Sequence, residues 1–218
     1  MTKHFHSELE KIKKKILSLG AIIEDRIRLA SKAIKLCDAD IAGQIISSDR
    51  EIDEMEVEVE EECLKVLALH QPVAVDLRFI IAVIKINNEL ERIGDQAVNI
   101  AERVEILAKK DPIDFVFDYT PMIEKAEFML KKSLNALVNF DLNTAMLVRV
   151  LDDEVDKMKD EAYDQIKNTM KEYPGRTGYL INLLLISRHI ERIADHATNI
   201  AEEVIYLIEG EIVRHASL

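Results

Sequence analysis

The chain holds no tryptophan, two cysteines, four prolines and six glycines in 218 residues, and aromatic side chains make up only 5% of it. With so few rings there is little material for the stacking platforms that single-stranded nucleic acid requires. The glycines form no GxGxxG or GxxxxGKS/T loop, so nucleotide phosphates find no backbone cradle. Cys37 and Cys63 form no CxxC and fall on partly apolar stretches of helical character, where a lone thiol serves as a small hydrophobe. Positive charge is scarce as well: 29 Lys and Arg stand against 41 Asp and Glu, a net charge of −12. That balance disfavours nucleic acid and anionic membranes, which reward clustered cations, and suits metal cations or basic protein patches. No run approaches about 18 uninterrupted apolar residues, so no membrane insertion is expected. The opening MTKHFHSELEKIKKK lacks the apolar core of a signal peptide, and the expected location is cytoplasmic.

What is present is helical periodicity, carried by a chain that is 48% hydrophobic and long enough for one large or two small domains. Phe5, Leu9, Ile12, Ile16, Leu19 and Ile23 alternate four and three residues apart, the seam of a packed helix. The KIKKK run at Lys11 to Lys15 fits either a contact patch or that helix's solvated face. Asp38 to Asp40 closes the first helix and caps a second, expected from about Ile41 to Leu69 with Ile45, Ile52, Met55, Val59 and Val66 inward. A third follows Pro72 to about Lys109 on a stripe of Leu90, Ile93, Ala97, Ile100, Val104 and Leu107. The aperiodic KKDPIDFVFDYTP reads as a linker ending at Thr120, a cap before Pro121. Three more helices are expected, at about Pro121 to Asn139, Leu142 to Tyr173 and Gly178 to Ile208. Prolines fall only between these segments, so the fold class is all-α.

The second three helices echo the first. ERIGDQAVNIAE from Glu91 and ERIADHATNIAE from Glu191 agree at nine of twelve positions, 100 residues apart. LDDEVDKM at Leu151 matches SDREIDEM at Ser48, and FDLNTA at Phe140 matches CDADIA at Cys37, both at an offset of 103. The expected organisation is two tandem, pseudo-symmetric three-helix bundles over 1–110 and 121–218 joined by a linker at 111–120. Apolar surface left over on the helix seams suggests self-association into a homodimer, with Ile205 and Leu207 fitting either that surface or the sixth helix's inward stripe.

A repeated core would require only the apolar positions to recur, yet acids recur too. At about 100° per residue, Glu91, Asp95, Asn99 and Glu102 project roughly 150° to 190° from the core stripe. Asp49 and Asp53 lie on a flank of the second helix, about 90° to 130° from its stripe, which the neighbouring third helix can share. Asp152 and Asp156 stand in the same relation to Glu191 and Asp195. The i to i+4 spacing puts both carboxylates of a pair on one face, a ligand arrangement for Mg²⁺, Mn²⁺ or iron, with room for several bridged ions. His196 can add a nitrogen ligand in the second unit, but its counterpart is Gln96. The same acids also fit ordinary solvated helix faces, with Arg92 near Asp95 and Arg188 near Glu191 as helical ion-pair partners.

Taken with their order and spacing, VAVDLRFIIAVIKINNELERIGDQAVNIAE from Val73 and HIERIADHATNIAEEVIYLIEGEI from His189, each preceded by its D-x-x-x-D helix, resemble the PhoU family over nearly the whole chain. The resemblance implies a cytoplasmic protein that binds multinuclear clusters of iron, zinc, Mn²⁺ or Mg²⁺ through E(D)xxxD motifs. Carried over by position, the ligands are Asp49, Asp53, Glu91 and Asp95, then Asp152, Asp156, Glu191 and Asp195. It further implies a negative regulator of phosphate uptake and phosphate-starvation signalling, not a catalyst. The implied partners are a phosphate-specific ABC transporter and a sensor histidine kinase, through which the protein reaches the inner membrane peripherally. Gln96 departs from the family pattern, which has His after the motif's Asp. The stretch DLR at Asp76 to Arg78 lacks a counterpart in the second repeat and reads either as a partner contact or as a local polar pair. The competing function is a carboxylate-bridged multinuclear metalloenzyme. Diiron bundles, however, use inward Glu and Glu-x-x-His pairs, and no histidine here has Glu three residues before it.

Overall fold

The computed structural model describes residues 3–115 and 117–211, and among them it contains α-helix, one 3₁₀ turn and no strand. The helices are α1 (Lys3–Leu36), α2 (Ala39–Ser47), α3 (Arg50–His70), α4 (Ala74–Ala108), α5 (Thr120–Asn139), α6 (Leu142–Glu172) and α7 (Thr177–Glu209). α2 and α3 follow one another as the broken second rod, so the described residues form six rods. Each rod buries the stripe its periodicity announces: Ile12, Ile16, Leu19 and Ile23 of α1 are fully enclosed, as are Leu90, Ile93 and Ala97 of α4. α4 and α7 pack against each other along the middle of the molecule, with α1, α2 and α3 laid on α4 and α5 and α6 on α7. Apolar side chains from all seven helices join one continuous buried cluster. Ile205 and Leu207 belong to it, at 0% and 1% exposure, so they offer no surface for self-association. No described helix is long and apolar enough to cross a membrane.

The break in the second rod departs from the continuous helix expected over Ile41 to Leu69. Ser48 donates its hydroxyl to the Gln44 and Ile45 carbonyls, offering the backbone an alternative to the helical ladder. Arg26, nearly buried on α1, then donates to the Ser48 carbonyl at 3.2 Å and to Glu51 at 3.2 Å, fixing the interruption. In the second repeat the position of Ser48 is Leu151, and α6 runs on unbroken. Asp49 thereby becomes the residue before α3.

The turns repeat more faithfully. Cys37 and Phe140 both adopt left-handed backbone, at φ 48° and 52°, and each is followed by an aspartate that caps the next helix. Asp38 accepts from the Asp40 and Ile41 amides and Asp141 from that of Thr144. Cys37 is therefore an exposed turn residue and not the small hydrophobe expected, whereas Cys63 is buried and its thiol is pushed up to about 12 by burial. At the start of α5 the cap also differs from expectation: Thr120 is already helical, and Asp118 accepts its amide at 3.0 Å. Lys11 and Lys15 of the basic run pair with Glu62 and Glu58 of α3, at 2.8 and 2.7 Å, and clasp the two helices. Arg78 of the DLR stretch donates to the Leu207 carbonyl at 3.4 Å, placing its cation at the C-terminal end of α7 where the helix dipole favours it.

Candidate functional site

Two groups of acids lie where neighbouring rods run side by side, one along α3 and α4 and one along α6 and α7. None of the eight sequence-predicted carboxylates is fully buried. In the first group burial lifts the Asp49 carboxyl above its usual range, with Asp53 and Asp95 adding repulsion and Arg26 opposing it. Asp95 is raised by burial and by Asp53. Glu91 is raised by burial and by Asp95, with Asp53 and Glu56 contributing. Asp49, Asp53, Glu91 and Asp95 thus come from two helices into one field. Glu56, absent from the sequence-based set, joins them, raised by burial and by Glu60 and Asp53. Its signal was its position one turn after Asp53.

The second group has the same plan and a different balance. Asp195 is pushed up to about 6 by burial and by Glu191, Asp152 and Asp156. Asp152 is raised chiefly by burial while it accepts a hydrogen bond from the Thr198 hydroxyl at 3.1 Å. Here, however, Lys159 stands between the two helices and donates to Asp156 and to Glu191, both at 3.1 Å. Burial opposes its charge, but those two hydrogen bonds hold the ammonium well above the usual lysine range. Lys159 occupies the repeat position of Glu56, so one face carries a fifth acid where the other carries its own cation. A groove of about 580 Å³ opens beside this second group, bordered by Lys159, Arg188, Arg192, Glu191 and Asp195.

Between the two groups, polar contacts cross from α4 to α7. His196 Nδ1 meets Glu89 Oε2 at 2.7 Å, and Asn199 donates to the same oxygen at 3.0 Å. Burial opposes the charge on Glu89, but these two hydrogen bonds hold it below the usual carboxylate range. His189 Nδ1 donates to Gln96 Oε1 at 2.9 Å. Burial and the nearby Arg192, Arg103 and Arg188 depress His189 to about 4, so it is neutral at pH 7. His196 accordingly turns toward the first repeat's Glu89, and Gln96 serves as a partner for His189.

As a donor set, the first group offers carboxylate oxygens, with burial and neighbouring acids disfavouring the charge on Asp49, Glu56, Glu91 and Asp95, which suits hard or borderline multivalent cations. The second offers a similar set already partly neutralised by Lys159. Fold and site together define a class: a duplicated all-helical bundle with a carboxylate-bearing face in each half. The chain belongs to the PhoU family, since residues 16–104 and 120–204 each match the PhoU domain. It is 35% identical to the phosphate-specific transport system accessory protein PhoU homolog of Pseudomonas aeruginosa, covering 100% of this chain and 90% of that one. It is 36% identical to the protein of the same description from Clostridium acetobutylicum, covering 97% of each. The crystal structure of PhoU from Pseudomonas aeruginosa superposes with a TM-score of 0.89 at 35% identity, covering 95% of this chain and 100% of that one. The phosphate transport system regulatory protein PhoU from Streptococcus pneumoniae gives 0.88 at 29% identity, covering 96% and 99%.

Proposed function

We propose that the protein is a cytoplasmic accessory regulator of phosphate uptake, restraining transport and phosphate-starvation signalling through contacts with a phosphate-specific ABC transporter and a sensor histidine kinase. Its full-length likeness to phosphate transport accessory proteins is the observation that carries this reading. We further read the two carboxylate groups as sites for multinuclear clusters of iron, zinc, Mn²⁺ or Mg²⁺. Asp49, Asp53, Glu56, Glu91 and Asp95 would hold the first, and Asp152, Asp156, Glu191 and Asp195 the second. When bound, such ions would neutralise the two acidic faces. Without them the chain presents these faces as negative surface, and repulsion among the acids is tempered by Arg26 and Arg92 in the first group and by Lys159 in the second. The acids lie on exposed or half-buried flanks, and the groove beside the second group opens to solvent, an arrangement that suits docking of a partner.

Two measurements test this. Protein purified without chelator should carry several equivalents of metal, reduced by Asp95→Asn and again by adding Asp195→Asn. In a strain lacking the chromosomal copy, the intact chain should restore repression of phosphate-starvation genes at high phosphate. Unrestrained expression despite full protein levels would refute the regulatory reading. Trace metal unaffected by either substitution would refute the ligand assignment. Equal partner capture by metal-stripped protein would remove metal control while leaving regulation intact.

A further inference from the structure

At one end of the bundle, far along α1 and α3 from the acid groups, a second kind of donor set is assembled. His4 and Glu8 stand four residues apart on the first turns of α1, so their side chains share one face. His70 arrives beside them from the last residue of α3. Each carboxylate oxygen of Glu8 faces one imidazole: Oε1 lies 3.5 Å from His4 Nε2 and Oε2 lies 2.5 Å from His70 Nε2. One ligand atom from each of the three residues can be chosen so that all lie within 4.8 Å of one another. Zn²⁺ bonds of about 2.0–2.1 Å to N and O in a tetrahedron place ligand atoms roughly 3.3 Å apart, so a small opening at the His70 contact accommodates an ion.

Support around the set is unequal in an informative way. The Phe5 ring, 3% exposed, packs at 5.1 Å from the His70 ring and holds it from the core side. The side chains of Glu8 and His70 are only 12% and 20% exposed, whereas His4 is 75% exposed and can swing onto an ion from solvent. Two imidazole nitrogens and one carboxylate are the protein ligands of open zinc sites, with a water in the fourth position. Nitrogen donors also separate this set from the oxygen-only groups on α3, α4, α6 and α7, which favour harder ions.

We propose that His4, Glu8 and His70 form a three-ligand Zn²⁺ site that ties the start of α1 to the end of α3. Its ion would reinforce the Glu8–His70 tie at this end of the two helices, beyond the Lys11–Glu62 and Lys15–Glu58 pairs further along. The site is independent of the carboxylate groups and of any role in phosphate regulation.

The test uses the full chain carrying Asp95→Asn and Asp195→Asn, to weaken the acid groups, titrated with Zn²⁺ and followed by the histidine imidazole nitrogen resonances. The expected result is one tight equivalent that moves the Nε2 signals of His4 and His70 and leaves His6, His189 and His196 in place. His70→Gln and His4→Gln should each weaken that binding at least tenfold, and Co²⁺ should give the intense ligand-field absorption of a tetrahedral site. The exposed His4 makes its substitution safe for folding if His70→Gln perturbs α3. Zn²⁺ that moves His196 first, or binding unchanged by both substitutions, would overturn the proposal.

Discussion

Lys159 and Glu56 occupy one repeat position with opposite charge, and this exchange gives the second acid face a cation where the first has a further acid. In an Asp95→Asn background, Lys159→Met should strengthen Mn²⁺ binding at the second group by about tenfold or more. A unit charge within about 4 Å is worth roughly 1 to 4 kcal/mol as the dielectric falls from 80 to 20. Calorimetric titration of the paired variants checks this, and unchanged affinity would mean that Lys159 moves aside at no cost. His189 gives a second prediction at this scale. Its pKa falls from 6.5 unfolded to about 4 folded, so between those values the unfolded chain binds the extra proton. The stability it contributes is complete above pH 6.5 and is lost as pH falls toward 4. After allowance for solvent screening the loss is about 1–2 kcal/mol. Urea unfolding at pH 7 and pH 4.5 should show a steeper decline for the intact chain than for His189→Gln.

The capped turns carry the predictions at the scale of elements. Asp38→Ala removes the acceptor of two amides, at 2.9 and 3.1 Å, and should cost about 1 kcal/mol. Cys37→Gly, one residue earlier, should stabilise by about 0.5–1 kcal/mol, because left-handed backbone suits glycine at this position. For a chain of this length each kcal/mol moves the midpoint by about 2–4 °C, within reach of calorimetry. These turns also mark what the sequence made legible. Most rods, the Asp38 cap and the buried stripes could be read because helical spacing and aspartate capping are local. The acids' outward placement could be read because angle follows from residue number. The Ser48 break was not legible, since it depends on Arg26 arriving from another helix. Nor was the service of Lys159 as a resident cation, or the turning of His196 toward Glu89, since each requires knowing which rods are neighbours.

For the whole molecule, the continuous core predicts that both halves lose structure together. Fluorescent reporters at exposed positions on α3 and α6 should give coincident denaturation curves that also match far-ultraviolet circular dichroism. Two separated midpoints would show that α4 and α7 part before either half melts. The same joint has a pattern with a wider reading. His189 meets Gln96 while His196 meets Glu89, so positions 89 and 96 of one repeat touch the counterparts of 96 and 89 in the other. Reciprocal pairing of that kind is how two identical subunits meet across a dyad. What looks like an internal seam therefore has the grammar of a homodimer written into one polypeptide, but with copies free to differ, as the glutamate at 56 and the lysine at 159 do.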